Sequence, residues 1–465
     1  MPSLAQNWGL LGSGLPPDPH TIYADTVSDK LLVGGRFRRV HNGNDSVDVM
    51  GVAAWDGQRW DSLANRLQTV DGDWQEWVSP IDRFRRYQGQ LYASGSFGMM
   101  LTDTTFLHNN ARLNEATMNW EPLECDFLGG IWQMTSEVDD TLYYTGYMTQ
   151  FCDTFPETCF VQYDGEHFHP FQPFYDLPYY SNNLGNIVVS FQGQFYMAGL
   201  FTVDTIDVEY YGIMRYTGSQ WEPVPGFEAA APIKQILVHD NKLYVSGYFR
   251  KYQGAPGNSI AVFDGTTWDD LGGGMLMDLD DPSYLYPQVR DFLFHDGDLI
   301  AVGNFNFAGD TPARNIAKWT GDRWCSYGGF FEQSIVSAAI WRDTLYVAGN
   351  FSTIDGVPYG YVARWDGGDY TESCSTPVGL PEVAYERDLK VFPNPTADRV
   401  WVELPPDVQA AGRIRILDPL GRELYSFAML GRSDSFDVHD LHSGSYFIQH
   451  ISGSGVVRSA RFLKL

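Results

Sequence analysis

The sequence predicts an all-β chain: a β-propeller of seven blades, six or eight if a degenerate copy is misread, followed by a C-terminal immunoglobulin-like β-sandwich. Three observations predict it. A block of strands and turns recurs seven times between residues 6 and 374, the composition suits short strands, and the strand pattern changes after residue 387. Aromatic side chains make up 15% of the 465 residues, and 47 Gly and 25 Pro supply the turns. No apolar run approaches the length of a membrane-spanning helix, so no membrane span is expected.

In each block the second strand ends in Gly-x-Phe, at Gly35, Gly95, Gly146, Gly199, Gly247, Gly303 and Gly349, with Met148 in place of Phe once. The third strand ends in an aromatic or turn motif followed by a second aromatic. The copies are Trp55-Asp56-Gly57 with Trp60, Tyr163-Asp164-Gly165 with Phe168, Tyr216-Thr217-Gly218 with Trp221, Phe263-Asp264-Gly265 with Trp268, Trp319-Thr320-Gly321 with Trp324, and Trp365-Asp366-Gly367 with Tyr370; the second block keeps only Leu113 and Trp120. Glycine supplies the positive φ that such turns need, so each block reads as a four-stranded meander. A sheet of that size cannot bury both faces alone, whereas radial packing buries each face against a neighbour. Trp8-Gly9-Leu10-Leu11-Gly12 has the sequence of a last strand with no earlier strands before it, which predicts that it completes the final blade. The repeat is similar to the blades of secreted bacterial kelch-like propellers, a resemblance that implies fold and little about activity.

Residues 375–387 read as a linker. Seven short strands follow, at Leu389–Phe392, Arg399–Leu404, Arg413–Leu417, Glu423–Phe427, Ser435–Val438, Ser445–Ile451 and Val456–Leu463, which is the pattern of a small sandwich. Within them, Val391-Phe392-Pro393-Asn394-Pro395, Asp418-Pro419-Leu420-Gly421-Arg422, Leu441-His442-Ser443-Gly444-Ser445-Tyr446 and the terminal Phe462-Leu463-Lys464 stand in order. They resemble the type A C-terminal sorting domain of the type IX secretion system, over residues 388–465. The motif positions are Pro393, Asn394, Pro395, Asp418, Gly421, Leu441, Gly444, Tyr446 and Lys464. The resemblance implies a bacterium of the Bacteroidetes group, Sec-dependent passage to the periplasm, and partners in the translocon and sortase of that system. The product is then secreted or attached to the outer-membrane surface. Ser3-Leu4-Ala5 before Gln6 has the small-x-small ending of a signal-peptidase site, so residues 1–5 are read as the remnant of a signal peptide.

Charge is unevenly placed. Residues 388–465 carry nine basic and nine acidic side chains, so the whole excess, a net −27, lies in residues 1–387. An acidic body repels phosphate backbones, and nucleic acid is not an expected partner. The five cysteines are too few for a disulfide scaffold. Cys152 and Cys159 flank a loop between two strand patterns and are read as a disulfide. For Cys325, pairing with Cys374 or with Cys125 stays open.

Loop length gives the site argument. In a meander blade the tight turns gather on one face, and the longer connections Arg38–Val49, Leu63–Pro80, Met99–Asn110, Pro170–Asn186, Phe201–Tyr211 and Leu271–Gln288 gather on the other. Binding is expected on the long-loop face, around a central channel. Trp74, Trp77, Tyr179, Tyr180, Tyr210, Tyr211, Tyr284 and Tyr286 are the candidate binding residues, since aromatic faces stack on sugars or anchor a protein. Asp278, Asp280 and Asp281 are candidate Ca²⁺ ligands, although they lack a calcium-loop spacing; no other cofactor is expected. The Trp residues that recur from block to block read as core, and a site residue should break the repeat. Gly-x-Ser-x-Gly and His-Glu-x-x-His are absent, and no catalytic motif is assigned. The sequence thus favours an exported binding or adhesion module for glycan or protein. An exported polysaccharide hydrolase or lyase and a structural cell-surface component are the alternatives.

Overall fold

In several sheets an Asp side chain decides where the third strand turns back. The Asp56 carboxylate accepts the N–H groups of Gln58 and Arg59 at 2.7 and 2.8 Å, Asp264 those of Thr266 and Thr267 at 2.7 Å, and Asp164 those of Glu166 and His167. Each caps donors that the turn would otherwise strand. The computed structural model describes residues 7–49, 51–64, 81–123, 127–128, 134–148, 150–151, 158–170, 184–203, 208–227, 231–251, 254–277, 287–367, 370–374, 389–404, 412–418, 422–429, 431–452 and 457–465, less 101–105. They form strands and connections with no α-helix, in two compact units, Met1–Val378 and Gly379–Leu465.

The first unit contains seven four-stranded antiparallel sheets among its described residues. Their first strands are Pro19–Asp25, Ile81–Tyr87, Met134–Val138, Leu184–Phe191, Ile233–His239, Gln288–His295 and Ile335–Trp341. Six sheets take all four strands from one stretch of chain. The seventh takes Ile335–Trp341, Thr344–Gly349 and Val362–Trp365 from its own block and Trp8–Leu10 from the N-terminal end, with Trp8 opposite Trp365. The first strand of each sheet packs against the first strand of the next, and that of the seventh packs against that of the first.

The core of this unit is divided among the spaces between sheets. Alternation at period two makes this so: on the strand Lys30–Gly35, Leu31 and Val33 join Trp341 and Tyr346 of the seventh sheet, while Leu32 joins Phe84 and Leu91 of the second. Equivalent apolar groups lie between every other adjacent pair of sheets. Fourth-strand Trp residues add a directed bond to this packing. The indole N–H of Trp60 donates to Leu11 O at 3.0 Å, that of Trp268 to Pro225 O at 3.0 Å, that of Trp324 to Leu271 O at 2.5 Å, and that of Trp8 to Gly328 O at 3.1 Å. Each acceptor lies just past the last strand of the preceding sheet. The tryptophans therefore recur because a buried indole needs both an apolar slot and an acceptor.

The Gly of Gly-x-Phe has an equally local cause. In six sheets it stands where the first strand carries an extra residue, and the pairing skips from Pro19↔Gly35 to Thr21↔Gly34, or from Val289↔Gly303 to Asp291↔Val302. The bulge brings backbone close: a Cβ on Gly303 would fall 2.0 Å from Gln288 O, on Gly247 2.4 Å from Pro232 O, and on Gly349 2.4 Å from Ser334 O.

Three connections read as long loops are largely strand, the first of them Arg38–Val49, in which Arg39–Asn42 pairs with Asp45–Asp48. Gln90–Met100 pairs with Phe106–Asn114 out to Met100↔Phe106, and Gln194–Val203 pairs with Val208–Tyr216 out to Val203↔Val208. Continued pairing satisfies backbone groups that a loop would leave to solvent. Tyr210 and Tyr211 accordingly lie on a strand.

One disulfide is present among the described residues, Cys325–Cys374. It joins the fourth strand of the sixth sheet to the segment that leaves the seventh, beside the bond from Ser326 N–H to Ser373 O at 2.8 Å. Cys152 lies outside the described residues, so the Cys152–Cys159 pairing cannot be placed on them; Cys159 falls on the strand Thr158–Tyr163.

Among its described residues the second unit has seven strands in two sheets, Lys390–Phe392, Arg399–Glu403 and Ser433–Asp437 in one, and Glu423–Met429, Gly412–Leu417, Gly444–Ser452 and Val457–Lys464 in the other. Val400, Val402 and Phe436 from the first sheet meet Ile414, Ile416, Ile448 and Phe462 from the second in one core.

Gly303→Ala is expected to destabilise the protein by at least about 2 kcal/mol, since the new methyl group meets backbone that is fixed by pairing; a thermal or denaturant midpoint equal to the parent's would contradict this origin of the glycine. The Cys325–Cys374 bridge spans 49 residues. Closing a loop of that size is worth up to about 4 kcal/mol, so Cys374→Ser should lower the melting temperature, and a reducing agent should lower the parent's by more than it lowers the variant's.

Candidate functional site

The bulges that require the glycines also aim side chains. The extra residues are His20, Asp82, Asn186, Lys234, Arg290 and Val336, one in each of six sheets. A bulged residue has no cross-strand partner and its side chain leaves the ordinary alternation. Five of these six line a single cavity of about 540 Å³ in the first unit, bounded by first strands from the first, second, fifth, sixth and seventh sheets. That volume is in the range of small-molecule sites.

Cationic groups dominate the lining. Arg83, Arg85, Arg86, Lys234 and Arg290 face it together with His20, Asp82 and Asp291. Their partners sort them. Arg86 is committed to structure: its Nε and Nη2 donate to the Asp25 carboxylate at 2.8 and 2.7 Å, and Nη2 also meets Glu115 at 2.6 Å. Asp25 is fully buried, and its carboxyl stays below the ordinary value because the Arg86 and Ser28 bonds outweigh burial. Arg85 approaches Glu137 at 3.8 Å. Arg290 Nε donates to Gln288 Oε1 at 3.1 Å.

The remaining polar groups are held from neighbouring sheets. Asp291 Oδ2 accepts from Ser337 Oγ at 2.8 Å and from Ala338 N–H at 3.0 Å, which ties the sixth sheet to the seventh. Burial nonetheless pushes its carboxyl above the ordinary value, ahead of those bonds and of the Arg83 charge, which lower it. His20 Nδ1 lies 2.8 Å from Asp82 Oδ1, and its Nε2 lies 3.2 Å from Asp18 Oδ1. Lys234 Nζ sits 5.5 Å from the centre of the Tyr248 ring. Burial first, then repulsion from Arg290 and Arg83, holds its ammonium below the ordinary lysine value.

None of these residues was a candidate from sequence. Trp74, Trp77, Tyr179, Tyr180, Tyr284 and Tyr286, and the proposed Ca²⁺ ligands Asp278, Asp280 and Asp281, lie outside the described residues. The missed signal was present in the repeat itself. The position just after the residue that faces the Gly of Gly-x-Phe holds His20, Asp82, Lys234 or Arg290 in four blocks and Val336 in another, so it breaks the repeat where a strand interior should not be charged.

In the second unit three motif residues, Asn394, Gly444 and Tyr446, meet the last strand. Asn394 Oδ1 accepts from Leu463 N–H at 2.9 Å while its Nδ2 donates to Arg461 O at 3.0 Å, so one amide side chain pairs with strand Val457–Lys464 as backbone would. Thr396 extends the pairing: its N–H donates to Leu463 O at 2.8 Å, and its carbonyl accepts from Leu465 N–H at 2.9 Å. Asp418 caps the next turn through Arg422 N–H and Nε at 2.9 and 3.0 Å; Gly421 lies outside the described residues. Leu441 and Tyr446 enter the core, Tyr446 stacks on Phe462 and its hydroxyl donates to His442 O at 2.9 Å, and Gly444 pairs with Lys464.

Residues 390–463 match the family described as the secretion system C-terminal sorting domain. The chain ends in a type IX sorting domain. Through it the protein is exported by the type IX secretion machinery, to be secreted or attached at the cell surface, and no helix among the described residues is long and apolar enough to cross a membrane. No curated protein matches the chain. Among solved structures, the extracellular domain of a hybrid two component system from B. thetaiotaomicron is similar at 10% identity and a TM-score of 0.47, over 98% of this chain and 58% of that one. A second, described as the extracellular domain of a one component system of the same organism, gives 10% identity and a TM-score of 0.44, over 99% and 59%. PorZ, an essential bacterial surface component of the type-IX secretion system of Porphyromonas gingivalis, gives 10% identity and a TM-score of 0.37, over 94% and 69%. The chain spans under three fifths of the length of the first two.

Asp291→Asn gives a pH test of the cavity wall. A carboxyl whose native value is raised binds its proton more readily folded than unfolded, so it costs stability as pH rises through the interval above the unfolded value of about 3.9. The parent should lose stability across that interval, and the variant should lose less; equal pH profiles in thermal melts would contradict a buried, strained carboxylate at this position.

Proposed function

We propose that the chain is an exported seven-bladed β-propeller of kelch-like type that serves as a binding module at the cell surface for a glycan or protein, delivered by an immunoglobulin-like sorting tag. The observation that carries this reading is the succession of seven first strands, each packed on the next and the last on the first, around a cavity whose lining is set by bulges. A first strand at the inside of each blade is where a propeller places its channel.

The arrangement around His20 favours binding over acid–base chemistry. Both ring nitrogens face carboxylate oxygens, of Asp82 and Asp18, whereas a general base keeps one nitrogen open to the substrate. Export supports the same reading, because a surface module meets polymers and partner proteins outside the cell.

A glycan array and a panel of acidic and neutral polysaccharides test this with the full chain. The expected result is retention of a restricted set of glycans with no new reducing ends released. Release of sugar ends from any polysaccharide would replace the binding module by a hydrolase or lyase.

A further inference from the structure

In the fifth and seventh sheets the chain that leaves the fourth strand is fastened to the loop between the second and third strands. Met275, seven residues after Trp268, donates its N–H to Asn258 O at 2.9 Å, and Leu15, seven after Trp8, donates its N–H to Gly360 O at 2.6 Å. The residue before each donor is a glycine at positive φ, Gly274 at 69° and Gly14 at 77°, which turns the chain onto the loop. A Cβ on Gly274 would stand 2.3 Å from Asn258 O, and one on Gly14 2.9 Å from Gly360 O, so the closed arrangement excludes a side chain there.

The sixth sheet departs from this pattern at both partners. Phe330 stands at the glycine position, without the positive φ, and Arg314 stands where the acceptor should be. No backbone bond joins Phe331 to Arg314 among the described residues; the Asn315 side chain holds the connection instead, donating Nδ2–H to Phe331 O at 3.1 Å. A cavity of about 420 Å³ opens between the two segments, and it shares no lining residue with the central one.

Its walls carry three kinds of group. Asp355 of the seventh sheet pins Phe330, with Oδ1 accepting Phe330 N–H at 2.9 Å and its own N–H donating to Phe330 O at 3.0 Å. The second Asp355 oxygen has no hydrogen bond among the described residues. The Phe330 side chain is 45% exposed, and Arg314 Cζ lies 4.2 Å from the centre of its ring. That contact orients the guanidinium, which forms no ion pair among the described residues. Phe307 adds a half-buried ring. A guanidinium fork takes both oxygens of a carboxylate, a carboxylate oxygen takes hydroxyl donors, and aromatic rings take the C–H face of a pyranose. The negative charge of Asp355 in the same cavity tells against a dianion and for a ligand with one negative charge and several hydroxyls.

We propose that this cavity binds a single uronic acid residue of an extracellular saccharide, with Arg314 holding the carboxylate, Asp355 the ring hydroxyls, and Phe330 and Phe307 the apolar face. It is a second site, independent of what the central cavity takes. Both departures from the repeat are needed for it, since either glycine or a closed loop would fill the gap.

The full chain is titrated calorimetrically with the methyl glycosides of glucuronate, galacturonate, glucose and galactose at equal ionic strength. At least one uronide should bind saturably, about tenfold or more tighter than the neutral glycoside of the same configuration. Arg314→Gln should weaken that binding about tenfold or more, the worth of a charge-assisted hydrogen bond. Asp355→Asn, which keeps an oxygen for Phe330 N–H, and Phe330→Ala should each weaken it about fivefold, so the test does not rest on the folding of one variant. The proposal is overturned if neither uronide binds, if the neutral glycoside binds as tightly, or if Arg314→Gln and Phe330→Ala bind as the parent does. Glycan retention on an array that survives both of those substitutions would remove this site and leave the binding module standing.

Discussion

Each sheet of the first unit carries apolar side chains on both faces, Leu31 and Val33 toward one neighbour and Leu32 toward the other, so no sheet can be dry by itself. Stability is therefore cooperative between neighbours. The end sheets of the series face the same demand, and it is met by contact between the seventh sheet and the first, reinforced by Trp60 bonding to Leu11 and by Arg342 of the seventh sheet meeting Asp29 of the first at 2.8 Å. The Trp8–Leu10 strand matters for the same reason: it gives the last sheet its fourth strand and supplies Trp8 to the space between the sixth and seventh sheets.

The bulge is where packing becomes chemistry. A glycine opposite the residue before the extra one allows two backbones to approach, and the extra residue is released from pairing, so its side chain reaches the cavity without disturbing the layers on either face. Identical local geometry then carries different side chains in different sheets, histidine, aspartate, lysine and arginine among them. A repeated scaffold with a variable position at each bulge is a means of composing a site from distant parts of the chain. It also shows why net charge misleads: the acid excess argues against a polyanionic partner for the surface as a whole, and says nothing of a cavity lined by Arg83, Arg85, Arg86, Lys234 and Arg290.

In the C-terminal unit the sorting motif is, in physical terms, a set of devices for seating the last strand. Asn394 and Thr396 bond to it, Gly444 pairs with it, and Phe462 within it is covered by Tyr446. These are local features, which is why spacing and residue type were enough to recognise the domain. The seven strands stand where alternation and turns put them, with ends shifted by a residue or two, as expected of fraying ends.

The sequence by itself determined what depends on neighbours along the chain: strand alternation, the Asp-Gly turns, the recurrence of Gly-x-Phe and indole positions, the N-terminal strand in search of a sheet, and the sorting motif that sends the protein out of the cell. Only the tertiary structure decided that Cys325 meets Cys374, that Tyr210 and Tyr211 belong to a strand, and that Arg83, Lys234 and Arg290 share one space. The reason is the range of the interactions. Turn capping and side-chain alternation act within a few residues and leave a periodic trace, whereas the meeting of side chains from different sheets is set by how whole sheets pack, which no local period records.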